Sequence, residues 1–235
     1  MPLELESRVC GSVHVVVAKG RLVAGPECRQ LEDLLHLDSR RHLRQIVLDA
    51  SGIQRLDSTG LGLIVRTAVS LRRRNGDLRL ANPAGNIAQL FRVTRVDGVI
   101  HAFPTQEDAI LSFMQNQPTP AAPTCAGCSV MIVDQSLDFA AFVATLLAQH
   151  SCEVKLASLV SDAKILLRFH PVDTILLGSG PSPAATAGMA PILQAVAPKA
   201  KILALDSALH TRDAQEAAAE ILQLLRSHRI LPAQA

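Results

Sequence analysis

The six residues Asp57-Ser58-Thr59-Gly60-Leu61-Gly62 set a carboxylate, two hydroxyls and two glycines in close succession. Three chemistries are open to such a stretch. A serine can be a nucleophile, but it then needs a base within hydrogen-bond reach, and no His or Lys stands near Ser58 in sequence. Asp, Ser and Thr can instead cap a helix, because their oxygens accept from its unpaired backbone N–H groups. A hydroxyl at a helix start can also carry a phosphate, since the free N–H groups and partial positive charge there tolerate an anion. That group adds about −1.5 to −2 charges and three acceptor oxygens. At an interface it can toggle binding, because a tenfold change in affinity needs only about 1.4 kcal/mol. On this motif alone, Ser58 and Thr59 read as part of a helix cap. Gly60 and Gly62 leave the backbone bare, so a partner can approach closely.

Other chemistry-bearing stretches point to less. Cys125-Ala126-Gly127-Cys128 is a lone CxxC. A structural zinc site needs four ligands, and no second CxxC or paired His follows at suitable spacing. Gly178-Ser179-Gly180-Pro181-Ser182-Pro183 lacks the glycine spacing of a phosphate cradle, and its prolines remove donors, so a flexible loop is expected. With no nucleophile–base pair, metal cluster or cofactor loop, the chain reads as a binding protein. No enzyme activity, cofactor or metal is expected.

Composition narrows the partners. Lys plus Arg number 23 against 21 Asp plus Glu, a net charge of +2 that gives no general pull toward nucleic acid or membrane. Six Phe with no Trp or Tyr argue against a stacking surface for single strands. The triplet Arg72-Arg73-Arg74 reads as the solvated end of a helix. Glu4 and Glu6 interrupt any apolar start, and no run approaches the length of a membrane span. A cytoplasmic protein is expected, with its five Cys reduced.

The elements that must position Ser58 follow from periodicity. Val13–Val17 and Gln45–Asp49 read as buried strands, with Gly20 punctuating the first. Pro26 suits the first turn of a helix running to about Leu37. From Ser58 to Arg74 the apolar residues Leu61, Ile64, Val65, Ala68 and Leu71 recur at helical spacing. Gly62, Arg66, Val69 and Arg73 fall on the opposite face, the expected partner-binding face together with Asp57 and Gly60. Asn75-Gly76 should end that helix with Gly as its cap. A strand at Leu78–Ala81, a helix at Ile87–Val93, a strand at Val99–Phe103 and a helix from Thr105 to Met114 complete the half.

Residues 115–127 are polar and Pro-rich, the composition of a linker. They divide a domain at 1–114 from one at 128–235. In the second half, strands at Val130–Val133, Glu153–Leu156, Thr174–Leu177 and Lys201–Leu205 alternate with helices, the pattern of a doubly wound α/β sheet.

Several separated segments of the first half resemble the STAS family, which includes bacterial anti-sigma-factor antagonists. They are Gly20–Glu27, Ile46–Ile53, Leu56–Gly62, Gly76–Pro83 and Phe91–Val99. The resemblance implies an α/β fold with a STAS-type mixed sheet covered by helices. It implies partner switching, in which an anti-sigma factor serine kinase phosphorylates Ser58 and a serine phosphatase resets it. The unphosphorylated form would bind the kinase and release a sigma factor. The alternative is a STAS scaffold whose Ser58 only caps a helix, for instance an accessory subunit of a signalling or transport complex.

The second half is similar to the receiver domain of response regulators, a flavodoxin-like fold, on Val130–Asp134, Asp138-Phe139, Cys152–Val154 and Val172–Leu177. Two departures follow. Asp134-Gln135 supplies one carboxylate where a receiver has two, and Gly178 stands at the phosphoacceptor position. The implied module is a degenerate receiver used in protein contacts or self-association, with Asp134 a strand-end residue of no chemical duty.

Overall fold

The computed structural model describes residues 2–40, 44–115, 128–178, 183–228 and 230–231. The chain divides into two units, residues 1–118 and 119–235. The expected linker from 116 onward, Cys125 of the CxxC and positions 179–182 lie outside the described residues.

The first unit opens with a hairpin. Strand β1 (Glu4–Cys10) pairs antiparallel with β2 (Val13–Leu22). Gly11 turns between them at φ 61°, a positive value that a two-residue hairpin asks of its first residue. Charged Glu4, Glu6 and Arg8 alternate through β1, which hides it from an apolar-run reading. Helix α1 (Pro26–Arg40), strand β3 (Gln45–Leu56), helix α2 (Ser58–Arg72) and strand β4 (Asp77–Ala81) follow. Helix α3 (Gly85–Val93), a 3-10 turn at Val96–Gly98, the short β5 (Ala102–Phe103) and helix α4 (Gln106–Gln115) complete the unit. Its strand order is β5-β4-β3-β2-β1, parallel except for the hairpin.

Two details correct the sequence reading. Gly20 does not end its strand but lies inside β2 at φ 104°, opposite Ile53, where the β2–β3 register shifts. At the end of α2 the left-handed residue is Asn75, φ 59°, not Gly76. Gly76 N–H bonds Leu71 C=O and Asn75 N–H bonds Arg72 C=O, the paired closure of a Schellman end. Gly76 is needed because a Cβ there would overlap the Arg44 carbonyl.

Alternation sorts the sheet into two faces. Val16, Ala18, Ile46, Leu48, Leu78 and Leu80 pack with Leu31 of α1, Ile64 and Ala68 of α2 and Ile87 of α3 in one core. Arg79 points the other way, toward α4, with its guanidinium 3.7 Å from the Phe113 ring centre and donating to Ser112 Oγ. Beside it Asp49, 1% exposed, accepts from Ser51 N–H, Asn82 Nδ2 and Gln106 Nε2. Burial pushes the Asp49 carboxyl up, but the Ser51, Gln106 and Asn82 hydrogen bonds together hold it below its usual range. One buried carboxylate thus joins β3, β4 and α4.

In the second unit, β6 (Ser129–Val133), β7 (Glu153–Ala157), β8 (Thr174–Leu177) and β9 (Lys201–Ala204) pair in parallel in the order β7-β6-β8-β9. Helices α5 (Leu137–Ala148) and α8 (Ala214–Ser227) share a core with Val130, Ile132, Leu176 and Leu203. Met131, Val133, Ile175 and Leu177 alternate to the opposite face, where α6 (Val160–Phe169) and α7 (Pro183–Val196) pack.

The expectation that all cysteines stay reduced is overturned for one pair. Cys128 and Cys152 form a disulfide. They immediately precede β6 and β7, whose register sets Ser129 opposite Glu153, and this brings their Cα atoms to 4.9 Å, inside the range a disulfide spans. Cys10 and Cys28 are buried and lie outside any disulfide.

Asp49 gives an acid-sensitivity prediction. Its folded pKa is depressed, so its contribution is fully present above the ordinary carboxylate value of about 4 and is lost as pH falls below that toward the lower folded value. Asp49→Ala should cost about 2–4 kcal/mol at neutral pH, because it strands buried donors. Urea midpoints should fall as pH drops below about 4 for the wild type, and the fall should be shallower for Asp49→Asn.

Candidate functional site

Asp57 carries the geometry of the serine loop. It is the N-cap of α2, extended at φ −102°, and its Oδ1 accepts from the N–H groups of Thr59 at 3.0 Å and Gly60 at 2.9 Å. Its Oδ2 accepts from Ala24 N–H at 2.9 Å, and its own N–H bonds the Leu22 carbonyl. The amides of Gly60 and Ala24 are the main reason its carboxyl lies below the usual range, with Thr59 N–H and the charge of Arg55 adding to them. One side chain therefore clamps the loop after β2 to the start of α2.

Gly60 completes the clamp. It is buried, and a Cβ there would overlap the Leu22 carbonyl and press on Leu56. Its need for glycine is thus a close approach of α2 to the end of β2. Gly25, at φ 134°, turns the chain into α1. Cys28 Sγ donates to Val23 C=O at 3.1 Å and fixes that turn from within. Ala24 and Gly25 were not singled out from sequence as site residues. The Gly25-Pro26 pair was their local signal, but only folding sets Ala24 N–H against Asp57.

With Asp57 as cap, Ser58 is the first residue of α2. Ser58 and Thr59 are exposed, and neither hydroxyl has a hydrogen bond among the described residues. Gly62 is half-buried, Arg66 and Arg73 are exposed, and Val69 is 38% exposed, all on the outer side of α2. The structure therefore gathers Ser58, Gly62, Arg66, Val69 and Arg73 on one helix surface, with Asp57 and Gly60 beneath its start.

The second candidate centre is filled from inside. Asp134, 4% exposed, ends β6 and accepts from Ser136 N–H at 2.6 Å. It lies 2.9 Å from His210 Nε2, and the His210 ring stacks on Phe139 with centroids 4.0 Å apart. Burial raises the Asp134 carboxyl, while the Ser136 amide and His210 pull the other way. Asp134, expected at a strand end with no chemical duty, has a structural one. It ties β6 to the turn at Ser207–His210. A Cβ at Gly178 would overlap the Asp134 carboxylate. The space a side chain at 178 would need is already taken. Among the described residues no group of three or more His, Cys, Asp or Glu could hold a metal, and no helix is long and apolar enough to cross a membrane.

The family model for the STAS domain matches residues 8–109, and that segment is a STAS domain. Among solved structures, the chain is similar to a putative anti-sigma factor antagonist of Thermotoga maritima at 17% identity, over 46% of this chain and 92% of that one, with a TM-score of 0.44. It is similar to the Bacillus cell fate determinant SpoIIAA in its phosphorylated form at 20% identity, over 47% and 98%, TM-score 0.39. An anti-sigma factor antagonist from Mycobacterium paratuberculosis aligns at 21% identity, over 47% and 92%, TM-score 0.42. No curated protein matches the chain.

Two substitutions test the filled centre. Gly178→Ala should destabilise the protein by about 1–3 kcal/mol through overpacking. Adding Asp134→Ala should recover part of that loss, because it empties the same volume. Additive losses in a double-mutant cycle of thermal or urea unfolding would contradict the overlap.

Proposed function

We propose that the chain is an anti-sigma factor antagonist working by phosphorylation-controlled partner switching. Unphosphorylated, it binds an anti-sigma factor serine kinase and releases a sigma factor; phosphorylation of Ser58 reverses this, and a serine phosphatase restores it. The observation that supports the reading most is the division of labour at α2. Asp57 does the capping, so the Ser58 hydroxyl is spare, exposed and seated at a helix start. A bare cap would be the weaker explanation of Ser58, since the capping bonds go elsewhere. The STAS match over residues 8–109 agrees with this role. Thr59 is a second acceptor on the same exposed turn.

A phosphate on Ser58 would sit at the start of α2, where the helix dipole favours an anion, without refolding it. It would also add about −1.5 to −2 charges to the surface a partner must meet. The second unit we read as a degenerate receiver for protein contacts or self-association. Gly178 offers no nucleophile, and Asp134 is engaged with His210. The function needs no catalytic residue in this chain, and its action is placed in the cytoplasm.

Incubation with purified anti-sigma kinases of the source cell and ATP, followed by mass spectrometry, should find phosphate on Ser58. Ser58→Asp should weaken kinase binding at least about tenfold, equivalent to about 1.4 kcal/mol, while Ser58→Ala keeps it. Absence of kinase binding by the wild type would leave the non-phosphorylated scaffold as the better reading.

A further inference from the structure

We infer that the outer stripe of α2 docks a partner surface that carries carboxylates around an apolar centre. The inference rests on the reading that this face meets a protein partner and adds the chemistry of that partner. Between Asp57 and Asp77 the chain has four arginines and no acid. Arg72 is used internally, donating to Asp77 at 2.8 Å and to the Val99 carbonyl. Arg66 and Arg73 are different. Both are exposed, and neither guanidinium has an ion pair among the described residues.

Their spacing gives the stripe a shape. Arg66 and Arg73 are seven residues apart, two helical turns or about 10.5 Å. Val69, 38% exposed, lies between them. Ser58 and Gly62 continue the stripe toward the start of α2, so it runs about 22 Å from Ser58 to Arg73. Gly62 has no side chain to hold a partner off. Beside the stripe a groove of about 130 Å3 separates α2 from α1, lined by Arg66, Ser70 and Arg74 with Glu32 on the α1 side. That acid belongs to α1, across the groove from the arginines of α2.

An acidic protein surface fits these features better than a nucleic acid. A polyanion would call for more cations along its track. No Tyr or Trp is available to stack a base, and Val69 occupies the middle of the stripe. A phosphate on Ser58 would then act through the same electrostatics. It would set negative charge about 12 Å from Arg66, about one and a half Debye lengths at physiological salt. The attraction of Arg66 would be little changed, and the partner's carboxylates nearest Ser58 would meet an added repulsion.

The test uses the full-length protein, labelled with 15N, and three probes. One is a synthetic helical peptide with a leucine stripe flanked by glutamates two turns apart. The second is its lysine twin, and the third is a short DNA duplex. The glutamate peptide should shift the amides from Gly62 to Arg73 and should bind less well as NaCl rises from about 50 to about 300 mM. Arg66→Glu with Arg73→Glu should weaken it about tenfold, with unchanged circular dichroism. Ser58→Asp should weaken it several-fold. Equal or better binding of the lysine twin or the duplex would overturn the inference, as would indifference to the charge reversal. Absence of glutamate-peptide binding with kinase binding intact would sink this inference alone. Peptide binding with no kinase binding would sink the switch alone.

Discussion

The arrangement of the first unit hangs on the three backbone N–H groups that converge on Asp57. Two belong to the first turn of α2 and one to the loop after β2, so a single carboxylate closes a junction between segments 33 residues apart. Helix starts leave such donors unpaired, and an anion there is favoured by the helix dipole. The junction is tightened by Gly60, which lets α2 approach the Leu22 carbonyl. Once Asp57 holds this place, Ser58 has nothing left to satisfy. Its exposure is a consequence of its neighbour's engagement.

The second unit uses an aspartate at a strand end in the opposite way. Asp134 is buried, and desolvation works against its charge. His210 and the Ser136 amide offset that cost and join three elements of the domain around it. Gly178 and Asp134 fit one another, since the absence of a side chain at one makes room for the carboxylate of the other. No side chain could be placed at 178 without displacing the Asp134 carboxylate.

Much of this was legible in order along the chain. The helical spacing from Leu61 to Leu71, the Val-rich strands and the punctuation by Pro26 depend on neighbours within a few residues, which is where sequence pattern is strongest. What pattern reading missed has a common cause. Strand β1 carries charges at alternate positions because its identity comes from pairing with β2, not from its own apolarity. Gly20 reads as a stop, yet pairing with β3 carries the strand through it. The Cys128–Cys152 pair needs two strands in register before either cysteine has a partner.

At the serine loop the same boundary is visible. The sequence alone determined that Asp57, Ser58 and Thr59 open a helix whose outer face is basic, because capping chemistry and a 3.6-residue period are local properties. Which oxygen does the capping was decided by the tertiary structure. Ala24 reaches Asp57 only when β2 and β3 lie side by side, and that long-range bond selects Asp57 as the cap and leaves Ser58 exposed. Local pattern can nominate the residues that open a helix; packing between distant segments decides which of them caps it.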